Sequence, residues 1–223
     1  DPRVQVMDAA WFEGQQVLDI GCNAGYVTVE IARRYTPRRI VGVDIDEVLV
    51  AQAWRHLRHR WSLQRPASDE HAGATIARSW PCFPLAMPAL FGALPWPAPS
   101  TTTTSDEAAR FPMNIDFWAG DWLGMPPEPH TYDTILALSI TKWIHLHKGD
   151  DGMRHFFYRV HACLRAGGRF ILEPQPWRSY TRKSKLTPAM RQTYASITFK
   201  PDAFEAFLLD KVGFDRVEER AVP

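Results

Sequence analysis

Two acids and a glycine turn stand at a spacing that suits a nucleoside. Val17-Leu18-Asp19-Ile20 runs into Gly21-Cys22-Asn23-Ala24-Gly25, and after a helical stretch Ile40-Val41-Gly42-Val43 ends in Asp44. A strand that closes on a glycine turn lets the backbone approach a ligand, and an acid at the end of the next strand, about 20 residues on, accepts from ribose hydroxyls. Asp44 holds that position, and Ile45 beside it offers an apolar surface to a base. The same turn excludes other cofactors. A dinucleotide fingerprint needs a second glycine where Asn23 stands, and the lysine of a phosphate-binding P-loop is absent. What remains suits a nucleoside without phosphates that carries an amino-acid tail. Further on, in Gly120-Asp121-Trp122, the carboxylate suits an adenine amino group and the indole suits covering the ring.

A second group of polar and aromatic residues follows two later strands. Leu138-Ser139-Ile140-Thr141-Lys142-Trp143-Ile144-His145-Leu146 leaves the fourth strand, and Glu173-Pro174-Gln175-Pro176-Trp177-Arg178-Ser179-Tyr180 leaves the fifth. In open parallel sheets, ligands bind at this carboxyl edge. Lys142 is a compact point charge suited to phosphate, and His145 suits donation to it. Gln175, its backbone stiffened by flanking prolines, Trp177 and Tyr180 suit hydrogen bonds to or stacking on the first nucleotides of a strand. Trp177 serves equally well as a packing aromatic. Arg178, Arg182, Lys183 and Lys185 form a basic run where backbone phosphates would pass. His145 and His147 with Asp150 and Asp151 have no further ligand spacing, so no metal is expected.

The elements that must hold these groups alternate. Strands are expected at Val17–Ile20, Ile40–Asp44, Ile115–Trp118, Tyr132–Leu138, Arg169–Glu173 (after the Gly167-Gly168 turn) and Phe214–Glu219. Helices are expected from Gly25 to about Tyr35, over Glu47–Trp61, Gly152–Leu164 and Pro201–Asp210, with loops carrying Lys142 and Gln175. The fold class is therefore α/β, Rossmann-like: a mostly parallel sheet with helices on both faces, lacking the last edge strand that such a sheet can carry. Residues 1–223 read as one domain with a Pro/Thr-rich insertion at about 63–112, partly disordered, whose apolar middle from Trp80 to Trp96 suits packing on the body.

A hydrophobic content of 45% with 23% charged residues places the chain among globular proteins, and a net charge of +1 means that any nucleic-acid site must be local. Cys22, Cys82 and Cys163 lie far apart and read as free thiols. No apolar run is long enough to span a bilayer. The chain opens on Asp1 rather than Met, which reads as a fragment of something longer.

The strand–turn–helix unit, Asp44 and Gly120-Asp121-Trp122 together resemble the class I S-adenosylmethionine-dependent methyltransferases over most of Val17–Glu219. The stretches LSITKWIHL and EPQPWRSY narrow this to the methylphosphate capping enzyme family, also called the bicoid-interacting protein 3 family. Asp1-Pro2-Arg3 through Trp11-Phe12, Cys82-Phe83-Pro84, Phe111-Pro112, Lys200-Pro201 and Val212-Gly213-Phe214 match as well. The resemblance implies methyl transfer from S-adenosylmethionine, leaving S-adenosylhomocysteine, to the γ-phosphate of a small nuclear RNA that keeps its 5′-triphosphate. It implies that Arg3, Gly21, Cys22, Asn23, Asp44, Ile45, Asp121, Trp122 and Leu138 hold the cofactor and that Lys142 contacts the terminal phosphate. It further implies a nuclear monomer in an RNA–protein particle, beside a La-related protein. Two features of the family are missing, a Tyr- and Arg-bearing segment upstream of Asp1 and a final strand region with an aromatic near the RNA end. A 5′-monophosphate RNA methyltransferase and a non-catalytic RNA-binding scaffold remain the alternatives.

Overall fold

The computed structural model describes residues 1–63, 86–96 and 110–221. Its centre is a parallel sheet of β1 (Gln16–Ile20), β2 (Arg39–Asp44), β3 (Ile115–Ala119), β4 (Tyr132–Leu138) and β5 (Leu164–Glu173), in the order β3-β2-β1-β4-β5. The helices are α1 (Pro2–Gln5), α2 (Tyr26–Tyr35), α3 (Glu47–Ser62), α4 (Ala86–Phe91), α5 (Thr141–Cys163), α6 (Tyr180–Lys183), α7 (Pro188–Ser196) and α8 (Phe204–Phe207).

The strands form because parallel strands covered on both faces need unbroken apolar runs. Val17, Leu18, Ile40, Val41, Ile135 and Leu136 are almost wholly buried. One face packs on α2 and α3 through Ile31, Ala53 and Leu57, and the other on α5 through Phe156, Phe157 and Val160. The start of α3 is set locally: the Asp46 carboxylate accepts from the backbone N–H of Val48 and Leu49 at 2.8 and 3.3 Å, filling two donors a helix end leaves open. The order of the strands matters for the site. β1 feeds β2 and then β3 on one side, whereas β4 and β5 lie on the other, so the chain reverses between β1 and β4 and leaves a crevice at their carboxyl ends.

Several sequence expectations need correction. The segment after β4 is not a loop. It is the first half of α5, which runs from Thr141 and kinks at Gly149, whose φ of 65° is a left-handed conformation that glycine takes without strain. The Gly167-Gly168 turn sits inside β5 as an irregularity. Tyr132 pairs with Leu164, and the register then shifts so that Thr134 pairs with Arg169. The helix expected over Pro201–Asp210 breaks into a 3-10 turn, α8 and a π-helical turn at Leu208–Val212. No sixth strand forms at Phe214–Glu219. Phe214 anchors itself against Phe170 of β5 and against His161, but the polar residues that follow are largely exposed and pair with no strand.

Of the insertion, residues 64–85 and 97–109 lie outside the described residues, and with them Cys82-Phe83-Pro84 and Thr101–Thr104. The part described packs where its apolar content suggested: Leu94 N–H donates to Ser62 Oγ at 2.7 Å, and Trp96 meets Trp54 edge-on at 6.2 Å. Cys22 and Cys163 are buried free thiols. Among the described residues, no helix is long and apolar enough to cross a membrane.

The kink in α5 is tied down by Asp150. Its Oδ1 accepts from His145 Nε2 at 3.0 Å, and its Oδ2 accepts from the Thr198 and Phe199 backbone N–H, each at 3.0 Å, and from Thr198 Oγ1 at 2.6 Å. Burial would raise this carboxyl. The hydrogen bonds from Thr198, from His145 and from the two backbone N–H groups outweigh burial and bring it down to about 2. A carboxyl lowered in the fold contributes stability above its unfolded value, near pH 4, and that contribution fades as pH falls toward 2. Asp150→Asn should therefore cost roughly 2–3 kcal/mol near neutral pH, as charge-assisted hydrogen bonds are lost. Denaturant melts of both proteins should converge as pH drops below about 4. A constant gap across that range would show that the charge is not what holds the kink.

Candidate functional site

The crevice between β1 and β4 opens into a cleft of about 860 Å³. Its floor depends on close backbone approach. Gly21 has φ 78°, a conformation that strains other residues, and a Cβ there would crowd the Ile140 side chain at the start of α5. Asn23 takes the place of a fingerprint glycine and adopts φ 52°, a left-handed conformation that asparagine tolerates, while its Oδ1 accepts from Ala24 N–H at 2.7 Å. The turn and the β2 acid are joined: Asp44 Oδ2 accepts from Asn23 N–H at 2.8 Å and Oδ1 from Asp46 N–H at 3.0 Å. Each oxygen keeps a lone pair for a hydroxyl, so the carboxylate is aimed before any ligand arrives. Ile45, 71% exposed, presents an apolar surface at the same rim.

All nine residues expected to hold the cofactor line this one cleft: Arg3, Gly21, Cys22, Asn23, Asp44, Ile45, Asp121, Trp122 and Leu138. Two also carry structural duties. Asp121 Oδ1 accepts from Leu123 N–H at 3.1 Å and its Oδ2 from Lys148 Nζ at 2.8 Å, so, like Asp44, the carboxylate is held in place and keeps a lone pair on each oxygen. Trp122, only 7% exposed, packs edge-on against Phe156 beneath the Arg159 guanidinium, so it forms part of the floor rather than a cover. Arg3 is pinned at the opposite wall, donating to Asp1 and, at 3.0 Å, to Glu173 Oε2. Glu173 Oε2 also accepts from Ser139 Oγ at 2.6 Å.

Three residues expected to contact phosphate or RNA are turned to internal tasks. His145 is fully buried and spends Nε2 on Asp150. Burial lowers its pKa more than Asp150 raises it, so the ring is neutral near pH 7 and donates nothing into the cleft. Tyr180 is also fully buried, against His145 and Trp177, and burial pushes its hydroxyl up to about 12. Gln175 is a clamp. Its Oε1 accepts from Thr141 Oγ1 and from Lys142 N–H, both at 2.9 Å, and its Nε2 donates to the Ser139 carbonyl. It thus holds the entry to α5, where Ser139 sits at φ 59°. Trp177 is half-buried and stacks on Tyr194 at 4.8 Å, which favours its packing role. Lys142 stays available. Its ammonium lies 5.6 Å from the centroid of the Trp143 ring, and burial, then the charge of Lys183, lowers its pKa.

Sequence reasoning did not assign Asp19, Trp143, His147 and Lys148 to the site, yet all four line the cleft. For Asp19 a signal existed, because it is the polar residue of an otherwise apolar strand leading into the glycine turn. It is 2% exposed, accepts from Thr28 Oγ1 at 2.7 Å, and burial raises its carboxyl to about 6 despite that bond and Arg3. Among the described residues no cluster of three or more potential ligands could hold a metal ion.

The donor set fits an adenosine cofactor with a cationic amino-acid tail: a pre-aimed ribose acceptor, an apolar base surface, a backbone turn without phosphate-binding features, and a buried carboxylate. With the strand order, these features define a class I S-adenosylmethionine-dependent methyltransferase fold. A methyltransferase-domain model matches residues 17–71, and the Bicoid-interacting protein 3 (Bin3) model matches residues 132–222. A probable RNA methyltransferase of Arabidopsis thaliana is 35% identical over 227 residues, covering 98% of this chain and 68% of that protein. The 7SK snRNA methylphosphate capping enzyme of Homo sapiens is 36% identical over 242 residues, covering 100% of this chain and 34% of the human protein. An RNA 5′-monophosphate methyltransferase of Mus musculus is 25% identical over 180 residues, covering 73% of this chain and 47% of the mouse protein. The chain belongs to the Bicoid-interacting protein 3 family, and it spans about a third of the length of the human relative.

Asp19 yields a pH dependence with a definite sign. A carboxyl raised by burial is protonated below about pH 6 and ionised above it, so attraction for a cationic ligand strengthens as pH rises through that value. Calorimetry with S-adenosylmethionine should show affinity increasing from about pH 5 to about pH 7.5. The gain should be roughly tenfold if ionising this one carboxyl adds about 1.4 kcal/mol to binding. Asp19→Asn should flatten the curve. A wild-type profile without a step near pH 6 would remove Asp19 from the ligand's surroundings.

Proposed function

We propose that this chain transfers the methyl group of S-adenosylmethionine to the γ-phosphate of a small nuclear RNA bearing a 5′-triphosphate. The observation that carries the proposal is Lys142: a cation at the carboxyl edge of β4, one residue from the cleft wall and with no carboxylate within ion-pair reach among the described residues. The name of the human relative supports a methylated phosphate on a small nuclear RNA, and that of the Arabidopsis relative supports RNA as the acceptor.

Asp44 and Ile45 would hold the nucleoside, and Arg3, Asp19 and the Gly21–Asn23 turn would surround its tail. The cofactor supplies an electrophilic methyl group and leaves as S-adenosylhomocysteine. The acceptor oxygen is anionic near neutral pH, so no general base is required. The protein's work is positioning: Lys142 binds the terminal phosphate and turns one oxygen toward the cleft, and Gln175 fixes the backbone that carries Lys142. A few placed donors serve better than a dense basic cluster, which would blunt the nucleophile. In this reading residues 1–223 form one methyltransferase domain interrupted at about 63–112. It works as a nuclear monomer in an RNA–protein particle with a La-related protein.

The test is labelled methyl transfer from S-adenosylmethionine to matched RNAs with a 5′-triphosphate, 5′-monophosphate or 5′-hydroxyl. Label is expected on the triphosphate RNA. Transfer to the monophosphate alone would move the chain to the activity named for the mouse relative, and cofactor binding without any transfer would make it a scaffold.

Lys142→Ala should reduce transfer at least about a hundredfold, the loss expected when a placed charge is removed from a transferring phosphate. Cofactor affinity should change less than about twofold, because Lys142 does not line the cofactor cleft. Retained turnover would sink the assignment.

A further inference from the structure

The basic run Arg178, Arg182, Lys183 and Lys185 is not uniform. Arg178, Arg182 and Lys185 are exposed, whereas Lys183 is half-buried at the end of α6. Its ammonium lies 5.3 Å from the centroid of the same Trp143 ring that Lys142 approaches at 5.6 Å. Residues 41 positions apart in sequence thus bring two like charges to one indole. Among the described residues neither ammonium has an ion-pair partner, although several arginines and Lys148 do find carboxylates.

A structural role explains this poorly. One cation suffices to occupy an indole face, and the gain at a partly exposed site is small. A second cation beside the first adds repulsion: burial first, and then the charge of Lys183, lowers the pKa of Lys142. An anion between them turns that repulsion into attraction. Trp143 also lines the cofactor cleft, so an anion held by the two lysines would lie next to that cleft.

Resting on the methyl-transfer reading above, we infer that Lys183 is a second phosphate-binding residue. With Lys142 it forms a two-lysine site for the 5′-phosphates beside Trp143, whose ring both ammonium groups approach. Lys183 comes from α6, after β5, and Lys142 from α5, after β4, so the site spans both segments at the sheet edge. The Gln175 clamp, which joins those segments, keeps the two cations in register.

The test uses the whole chain and inorganic tripolyphosphate as probe, measured by calorimetry, with Lys183→Met, Lys142→Met and Arg182→Met compared. The expected result is a loss of about tenfold or more in affinity for each lysine variant and less than about twofold for Arg182→Met, since only paired charges contact the anion. Lys183→Arg should keep most of the affinity, and cofactor affinity should stay unchanged in every variant. In transfer assays Lys183→Met should raise KM for triphosphate RNA more than it lowers kcat. Equal losses for Arg182→Met and Lys183→Met would mean a diffuse basic surface and overturn the inference, as would no binding of tripolyphosphate. If Lys183→Met does not fold by circular dichroism, Lys183→Gln carries the same comparison. The two readings fail separately. Tripolyphosphate binding through the pair without methyl transfer removes the proposed reaction and leaves the site. Methyl transfer with Lys183→Met behaving as wild type removes the site and leaves the reaction.

Discussion

The close passage of Gly21 against Ile140 is the constraint on which the rest of the cleft depends. β1 and β4 are neighbours in a parallel sheet, yet the chain leaves them toward opposite sides. Their carboxyl ends part only if the turn after β1 slips beneath the start of α5, and the space for that is less than one methyl group. With that passage made, the floor of the cleft is backbone and the walls are the polar residues that follow each strand. A bulkier residue at position 21 would meet both a steric clash and an unfavourable positive φ, and it would push the α5 entry away from the β1 turn.

Around this passage the structure spends its hydrogen bonds on aim. Asp44 is oriented by two backbone N–H groups, Ser139 and Arg3 converge on Glu173, and Gln175 holds three groups of the α5 entry at once. Side-chain–backbone bonds of this kind leave the bound polar groups satisfied whether or not a ligand is present. A site prepared in this way loses little conformational freedom on binding, so more of the contact energy remains for affinity and alignment.

Much of this was legible in the sequence, for a physical reason. Strands buried on both faces must be continuous apolar runs, and Val17–Ile20, Ile40–Asp44 and Tyr132–Leu138 announce themselves as such. The glycine turn and Asp44 are legible because so few residue types satisfy a positive φ or a ribose acceptor. The first half of α5 was hidden because Gly149 interrupts its periodicity and its polar residues read as a loop. Phe214–Glu219 misled in the opposite sense: it read as a strand, but a strand needs a neighbour, and its one packed aromatic lies against Phe170 of β5. The internal engagements of His145, Gln175 and Tyr180 were harder to foresee. Their types suit phosphate and nucleotides as well as they suit a buried network, and nothing local shows that Asp150, Thr141 and the Trp177 ring will claim them first. Burial is a tertiary property, and polar residues in a rich motif are as apt to build the frame as to touch the ligand.

This changes what a dense run of polar and aromatic residues after β4 and β5 is for. If His145, Gln175 and Tyr180 are frame, the cations left facing outward carry the contact chemistry: Lys142, with Lys183 beside it. A methyl donor that binds as a cation and an acceptor that binds as an anion need surroundings of opposite sign within a short distance. Asp19, Asp44 and Asp121 line the cleft, and two ammonium groups approach the Trp143 ring beside it, so both signs of charge stand close together. Among the described residues neither Lys142 nor Lys183 pairs with a cleft carboxylate, and Asp121 is engaged by Lys148 instead, so the two cations stay free for an anion.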